Sequence, residues 1–161
     1  VSAEFPQHTE AILRILLDAG VDFVLIGGVA AIAHGASTAT RDVHIALPMD
    51  LDNLRRLLEA LRPLDAVHFT RPDIPLHRHE PEQLARFRVL LLQTRLGRLD
   101  VLAEVDTLGA AADLPRVDLP VLSDRMVPVL ARDALIQVKR HLGRPKDLLV
   151  VSELEALEDA G

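Results

Sequence analysis

Apolar residues recur at helical spacing over residues 8–19, where Ile12, Ile15, Leu16 and Ala19 share one face. Thr9 is placed to cap that helix and Gly20 to stop it. Residues 21–26 are a continuous apolar run with branched side chains, which predicts a short buried strand. Gly27-Gly28 turns the chain into a small-residue helix over residues 29–34, closed by Gly35. Residues 42–47 form a second predicted strand, ended by Pro48. Asp50 opens an amphipathic helix with Leu51, Leu54, Leu58 and Leu61 on one stripe.

Further on, residues 66–70 predict a strand, and residues 71–83, with three prolines and two histidines, an exposed loop. Two apolar runs, 86–93 and 98–105, are joined near Gly97 and read as a β-hairpin. Short extended pieces are expected at 117–122 and 127–130. Asp133 is expected to cap a helix reaching Leu142, with Leu135, Val138 and Leu142 inward; Pro145 starts a last helix over residues 146–157. The order predicts one α/β (α+β) domain over residues 1–161, a small mixed sheet with flanking helices. No repeat or linker interrupts it.

Composition narrows the function classes. With 49% hydrophobic and 26% charged residues the chain is globular, and with only 2% aromatics its core is aliphatic. A formal charge of −6 argues against a broadly basic nucleic-acid binder, though not against a local basic groove. Absence of Cys removes disulfides and thiolate metal sites. No apolar run is long enough to span a bilayer and no leader pattern opens the chain, so a cytoplasmic location and no membrane partner are expected.

Candidate chemistry gathers around the first two strands. A glycine pair between strand and helix allows close backbone approach, and N–H groups at the helix start suit phosphate oxygens. The alternative is a tight turn that needs positive φ. Asp42 and His44, at i and i+2 of a strand, project from one face while Val43 and Ile45 face the core. Asp100 is a lone acid in an apolar strand, so it needs a cation or donors. Either a metal ion or an arginine such as Arg98 or Arg41 meets that need. The string His77-Arg78-His79-Glu80 lacks a third ligand at defined spacing and reads as solvated. Arg86, Arg88, Arg95 and Arg98 surround the hairpin without stacking aromatics, which reads as a charged sheet edge.

Together these parts resemble the nucleotidyltransferase superfamily, most of all the minimal bacterial nucleotidyltransferases of toxin–antitoxin and abortive-infection systems. The resemblance rests on residues 26–35 (IGGVAAIAHG), 40–44 (TRDVH) and 99–102 (LDVL), and more weakly on 135–139 (LIQVK) and 143–148 (GRPKDL). It implies metal-dependent transfer of a nucleoside monophosphate from a nucleoside triphosphate to a hydroxyl of RNA, such as a tRNA end, or of a protein. It further implies Asp42, His44 and Asp100 as catalytic metal ligands, Mg²⁺ or Mn²⁺ as the ion, and an antitoxin as a partner. Gly27, Gly28, Arg41 and Lys139 would bind the nucleotide.

Two departures stand out. Position 44 is His where the family carries Asp, and Ala36, Ser37 and Thr38 occupy a stretch where relatives carry an Arg. An imidazole suits Mn²⁺ or Zn²⁺ better than Mg²⁺. The departures keep two alternatives open: a catalytically inactive nucleotide- or partner-binding protein of the same fold, and a metal hydrolase using Asp42, His44 and Asp100.

Overall fold

The computed structural model describes residues 8–40 and 42–160. In chain order the elements are α1 (Thr9–Asp18), β1 (Val24–Ile26), α2 (Gly27–Ala33), β2 (Val43–Ala46), α3 (Leu51–Leu61), β3 (Val67–His68), β4 (Arg71–Pro75) and α4 (Pro81–Leu84). They continue with β5 (Val89–Thr94), β6 (Gly97–Leu102), β7 (Glu104–Val105), β8 (Gly109–Ala110), β9 (Arg116–Leu119), β10 (Val127–Leu130), α5 (Arg132–Leu142) and α6 (Pro145–Ala160). Eight strands make one mixed sheet in the order β4-β3-β5-β6-β2-β1-β10-β9, with β7 and β8 as a separate ribbon. The pairs β1–β10 and β2–β6 are parallel, and the other pairings are antiparallel.

Strand alternation explains where the core ends and chemistry begins. Leu25, Ile45, Val101 and Leu90 stand in one cross-strand row. All four are buried against solvent, and each contributes about 1.5–3 kcal/mol of transfer free energy. The adjacent row, Ile26, His44, Asp100 and Leu91, points to the opposite face. Ile26 and Asp100 are buried in this row, His44 is half-buried and Leu91 is open to solvent. The polar residues of the site therefore occupy the face left when the aliphatic residues take the core.

Several local expectations are met. Asp50 caps α3, its Oδ1 accepting from the Asn53 N–H at 2.9 Å. The 89–102 region is a hairpin, with Thr94 opposite Gly97. Others are corrected. Thr9 is inside α1, and His8 at the cap position makes no side-chain cap. Asp133 lies in the first turn of α5, after Ala131 at the cap position, and is placed to favour the helix dipole rather than to cap. Residues 71–83 hold β4, a 3₁₀ turn and α4. Their prolines are compatible with structure because β4 is an edge strand and Pro81 opens α4. On α3, Leu57 and Ala60 are buried and Leu51 is exposed, so the core stripe is rotated from the one expected. Leu142 of α5 is also exposed rather than inward.

Candidate active site

The Gly27-Gly28 turn has two separate steric causes. Gly27 has φ +71°, and a Cβ there would lie 3.0 Å from His44 Nδ1 and 3.2 Å from His44 Cβ. A Cβ on Gly28 would lie 2.8 Å from Thr40 Cβ. The first glycine admits the imidazole; the second admits the loop that leads into β2. Pairing of β1 with β2 places Ile26 opposite His44, so the turn and the imidazole are neighbours through the sheet itself.

The decisive register is that of β2 with β6, which sets His44 directly beside Asp100. Asp42, one residue before β2, joins them. One ligand atom from each of Asp42, His44 and Asp100 lies within 4.8 Å of the others. Among the described residues this is the one group of three such side chains positioned for a metal ion. Metal–ligand bonds of about 2.1 Å set donors at most about 4.2 Å apart, so a small rotamer change closes the three around an ion.

Electrostatics at Asp100 are already balanced by protein groups. Its Oδ1 accepts from Arg98 at 2.8 Å, and its Oδ2 is 3.1 Å from His44 Nε2. The His44 contact is close, yet Nε2 has no hydrogen-bond partner of acceptable geometry although the atom is buried. A buried ring nitrogen without a directed partner, beside two carboxylates, fits a metal ion as its missing partner. Two carboxylates and one imidazole suit Mn²⁺ or Zn²⁺ better than Mg²⁺. Burial pushes the Asp100 carboxyl up, but His44 and Arg98 outweigh it and hold the group below the ordinary carboxylate range. The carboxylate is therefore ionised at neutral pH.

The remaining candidates are distributed as follows. Arg41 lies outside the described residues. Lys139, on α5, has its Nζ 3.4 Å from Oδ1 of Asp147 on α6. Asp147 is wholly buried and also accepts from Arg144 Nε at 2.6 Å. Burial raises the Asp147 carboxyl, and Arg144 with Lys139 lowers it further than burial raises it. Lys139 and Asp147 thus join the last two helices. His34 donates through Nε2 to the Leu130 carbonyl at 2.8 Å, tying the end of α2 to β10.

Two readings of the histidine- and arginine-rich segments change. His79 is half-buried, its Nε2 2.8 Å from His68 Nε2, and both rings pack on Phe87. Burial first, then the neighbouring His79, lowers the His68 pKa. The arginines of the hairpin do have an aromatic companion: Arg98 Cζ lies 3.7 Å from the centre of the Phe69 ring. Sequence spacing signalled Arg98, two residues before Asp100 on the same face, but not Phe69, which arrives from the turn between β3 and β4. A cleft of about 500 Å³ lined by Arg55, Arg62, His77 and Glu80 contains none of Asp42, His44 and Asp100. Donor chemistry, not the size of the hollow, singles out Asp42, His44 and Asp100 as the candidate site.

No family model and no curated protein matches the chain. Solved structures do. The protein ANT(2″)-Ia, crystallised in complex with adenylyl-2″-tobramycin, superposes with a TM-score of 0.56 over 95% of this chain and 87% of its own, at 16% identity. A protein from Thermotoga maritima assigned as a nucleotidyltransferase, TM1012, superposes with a TM-score of 0.54 over 99% of this chain and 97% of its own, at 15% identity. This chain has the nucleotidyltransferase fold. Within the nucleotidyltransferase fold, sheet and helices are matched along nearly the whole chain rather than over one motif. No helix among the described residues is long and apolar enough to cross a membrane.

Proposed function

We propose that this protein transfers a nucleoside monophosphate from a nucleoside triphosphate to a hydroxyl group of RNA or protein. The observation that carries the reading is the β2–β6 register, which gathers Asp42, His44 and Asp100 beside the Gly27 turn of a nucleotidyltransferase fold. Asp42, His44 and Asp100 would hold a divalent ion. That ion, when bound, neutralises charge on the triphosphate and on the leaving pyrophosphate. Gly27 and Gly28 keep side chains off the turn facing the triphosphate, and Arg41 and Lys139 supply cations to it. For Lys139 this means leaving Asp147, which retains Arg144. The acceptor oxygen bonds to the α-phosphorus, the bond to the β-phosphate bridge breaks, and pyrophosphate leaves with the electron pair. The ionised Asp100 takes the hydroxyl proton and passes it to water.

The resemblance to toxin relatives adds a cytoplasmic setting, a tRNA end as one acceptor, and an antitoxin that restrains the activity. A second reading is favoured by one observation: both oxygens of Asp100 already face Arg98 and His44. On that reading the fold binds a nucleotide or a partner without transfer. Calorimetry with a nucleoside triphosphate and Mn²⁺, run beside a transfer assay, separates the two. Binding with release of pyrophosphate supports transfer; binding alone supports the second reading. The His44→Asp variant restores the all-carboxylate set and is expected to gain Mg²⁺-dependent transfer. If neither chain binds a triphosphate with any divalent ion, the transfer and nucleotide-binding readings fail and only binding of a partner is left.

A further inference from the structure

Helix α6 is apolar on two sides. Asp147, Val150, Val151 and Leu154 are buried against the domain, whereas Pro145, Leu149, Ser152 and Ala156 are exposed on the opposite face. Their spacing of four, three and four residues keeps them in one line along the helix. Leu149 is 72% exposed, more than any other large hydrophobic side chain among the described residues, and Leu148 beside it is 46% exposed. Both flanks are anchored: Glu155 accepts from Arg140 of α5 at 2.6 Å, and Glu153 accepts from the Ser37 hydroxyl at 2.8 Å. The Leu149 face is therefore held outward. Its charges are ordered as well. Lys146 and Glu153 are seven residues apart, so they share one flank of this face two turns from each other. Among the described residues Lys146 has no ion-pair partner, and Glu153 accepts only from Ser37 and meets no cation.

We propose that this face of α6 binds a second copy of the chain, the two α6 helices packing antiparallel about a two-fold axis. The inference is independent of the transfer reading. A two-fold interface must be self-complementary, so that each residue meets its opposite number's partner. The α6 face meets that demand. With Leu149 of one copy over Ser152 of the other, Pro145 lies over Ala156, and Lys146 of each copy comes within reach of Glu153 of the other. Two symmetric ion pairs form from one lysine and one glutamate that lack charged partners in the single chain. A parallel pairing sets like residues side by side and forms neither pair. Bulky Leu149 against small Ser152 also allows the axes to approach to about 8–10 Å. The helix has 16 residues and is about 24 Å long. One face of that length covers less than the roughly 800 Å² per partner of a standard interface, so the dimer belongs in the micromolar range.

Sedimentation equilibrium of the full chain from about 1 to 500 µM brackets that affinity. A monomer–dimer equilibrium is expected. Leu149→Glu should abolish it, because two carboxylates then meet close to the axis in an apolar contact. Lys146→Glu and Glu153→Lys should each weaken the dimer by about tenfold or more at low salt, since each turns both attractive pairs repulsive, and by less at high salt. Mixed in equal amounts, the two charge-reversed chains should regain the parent affinity, because the mixed dimer again sets opposite charges at both contacts. The mixture is its own folding control, as a misfolded chain is not rescued by the other. A chain that stays monomeric over the whole range overturns the second copy as occupant and leaves the face to a partner of different sequence. A dimer that Leu149→Glu leaves intact overturns the face. Failure of the mixture to regain affinity overturns the antiparallel arrangement.

Discussion

Replacing Gly27 by Ala tests the link between the glycine turn and the site. Gly27 has φ +71°, a conformation that costs an L-residue about 1–2 kcal/mol. The new methyl would also sit 3.0 Å from Nδ1 and 3.3 Å from Cγ of His44, so the imidazole must move by a few tenths of an ångström. Lower chain entropy in the unfolded state returns about 0.4–1 kcal/mol. These backbone contributions leave a loss of about 0–1.6 kcal/mol, to which displacement of the ring adds, so a loss of about 1 kcal/mol or more, or about 2–4 °C in Tm per kcal/mol for a domain of this size, is expected. Urea unfolding measures the first quantity and calorimetry of Mn²⁺ binding the second consequence, a weaker site through the displaced ring. His44→Ala keeps the Cβ at 3.2 Å but removes the ring, so the double variant should recover about 0.5 kcal/mol or more of coupling. A Gly27→Ala protein with unchanged Tm and unchanged metal affinity would refute the reasoning, since neither the backbone nor the ring would then depend on glycine there.

Three further outcomes are expected. Asn53 is wholly buried, its Oδ1 accepting from the Asp22 N–H and its Nδ2 donating to the carbonyls of Asp22 and Pro48; Asn53→Leu should cost about 3 kcal/mol in urea unfolding by orphaning those groups. Asp147 and Asp100 have folded pKa values below their unfolded ones, so their stabilisation is present above about pH 5 and is lost as the pH falls through the folded pKa. Asp147→Asn should flatten that acid limb in pH-dependent unfolding, and an unchanged limb counts against the buried triad with Arg144 and Lys139. For metal dependence, Mn²⁺ or Zn²⁺ should raise Tm after chelator treatment more than Mg²⁺ does, with the order shifting toward Mg²⁺ in His44→Asp; equal response to all three ions would contradict the role of the imidazole.

Local order was legible before any coordinates. A branched apolar run, two glycines, a small-residue helix and a second strand near Asp42 and His44 follow from period and turn chemistry; β1 is the end of the apolar run, α2 starts at Gly27 itself rather than after the glycine pair, and β2 lies within the expected 42–47. What one dimension does not encode is register. Asp100 meets His44 only because β2 and β6 run parallel in one particular pairing, and nothing in either strand alone dictates which residues face each other. Arg98 was readable as a partner for Asp100 because i and i+2 share a strand face. Phe69 was not, since it reaches Arg98 across β5 from the turn between β3 and β4. Residues 71–83 misled for a different reason: prolines argue against central strands, whereas an edge strand and a helix start accept them. Lys139 illustrates the limit of residue type as a guide, because a lysine on α5 serves a buried carboxylate on α6 in this structure.

The central claim is that Asp42, His44 and Asp100 form a metal site at which a triphosphate is cleaved between its α- and β-phosphates. Its most direct measurement is pyrophosphate release from ATP, GTP, CTP or UTP by the full chain with Mn²⁺ and an acceptor mixture of peptide and RNA, against Asp100→Asn. The account predicts pyrophosphate in step with labelled acceptor, and a loss of at least about 100-fold in Asp100→Asn, the scale of a removed acid–base group. Release of orthophosphate in place of pyrophosphate, or equal rates for Asp100→Asn and the parent, would contradict it.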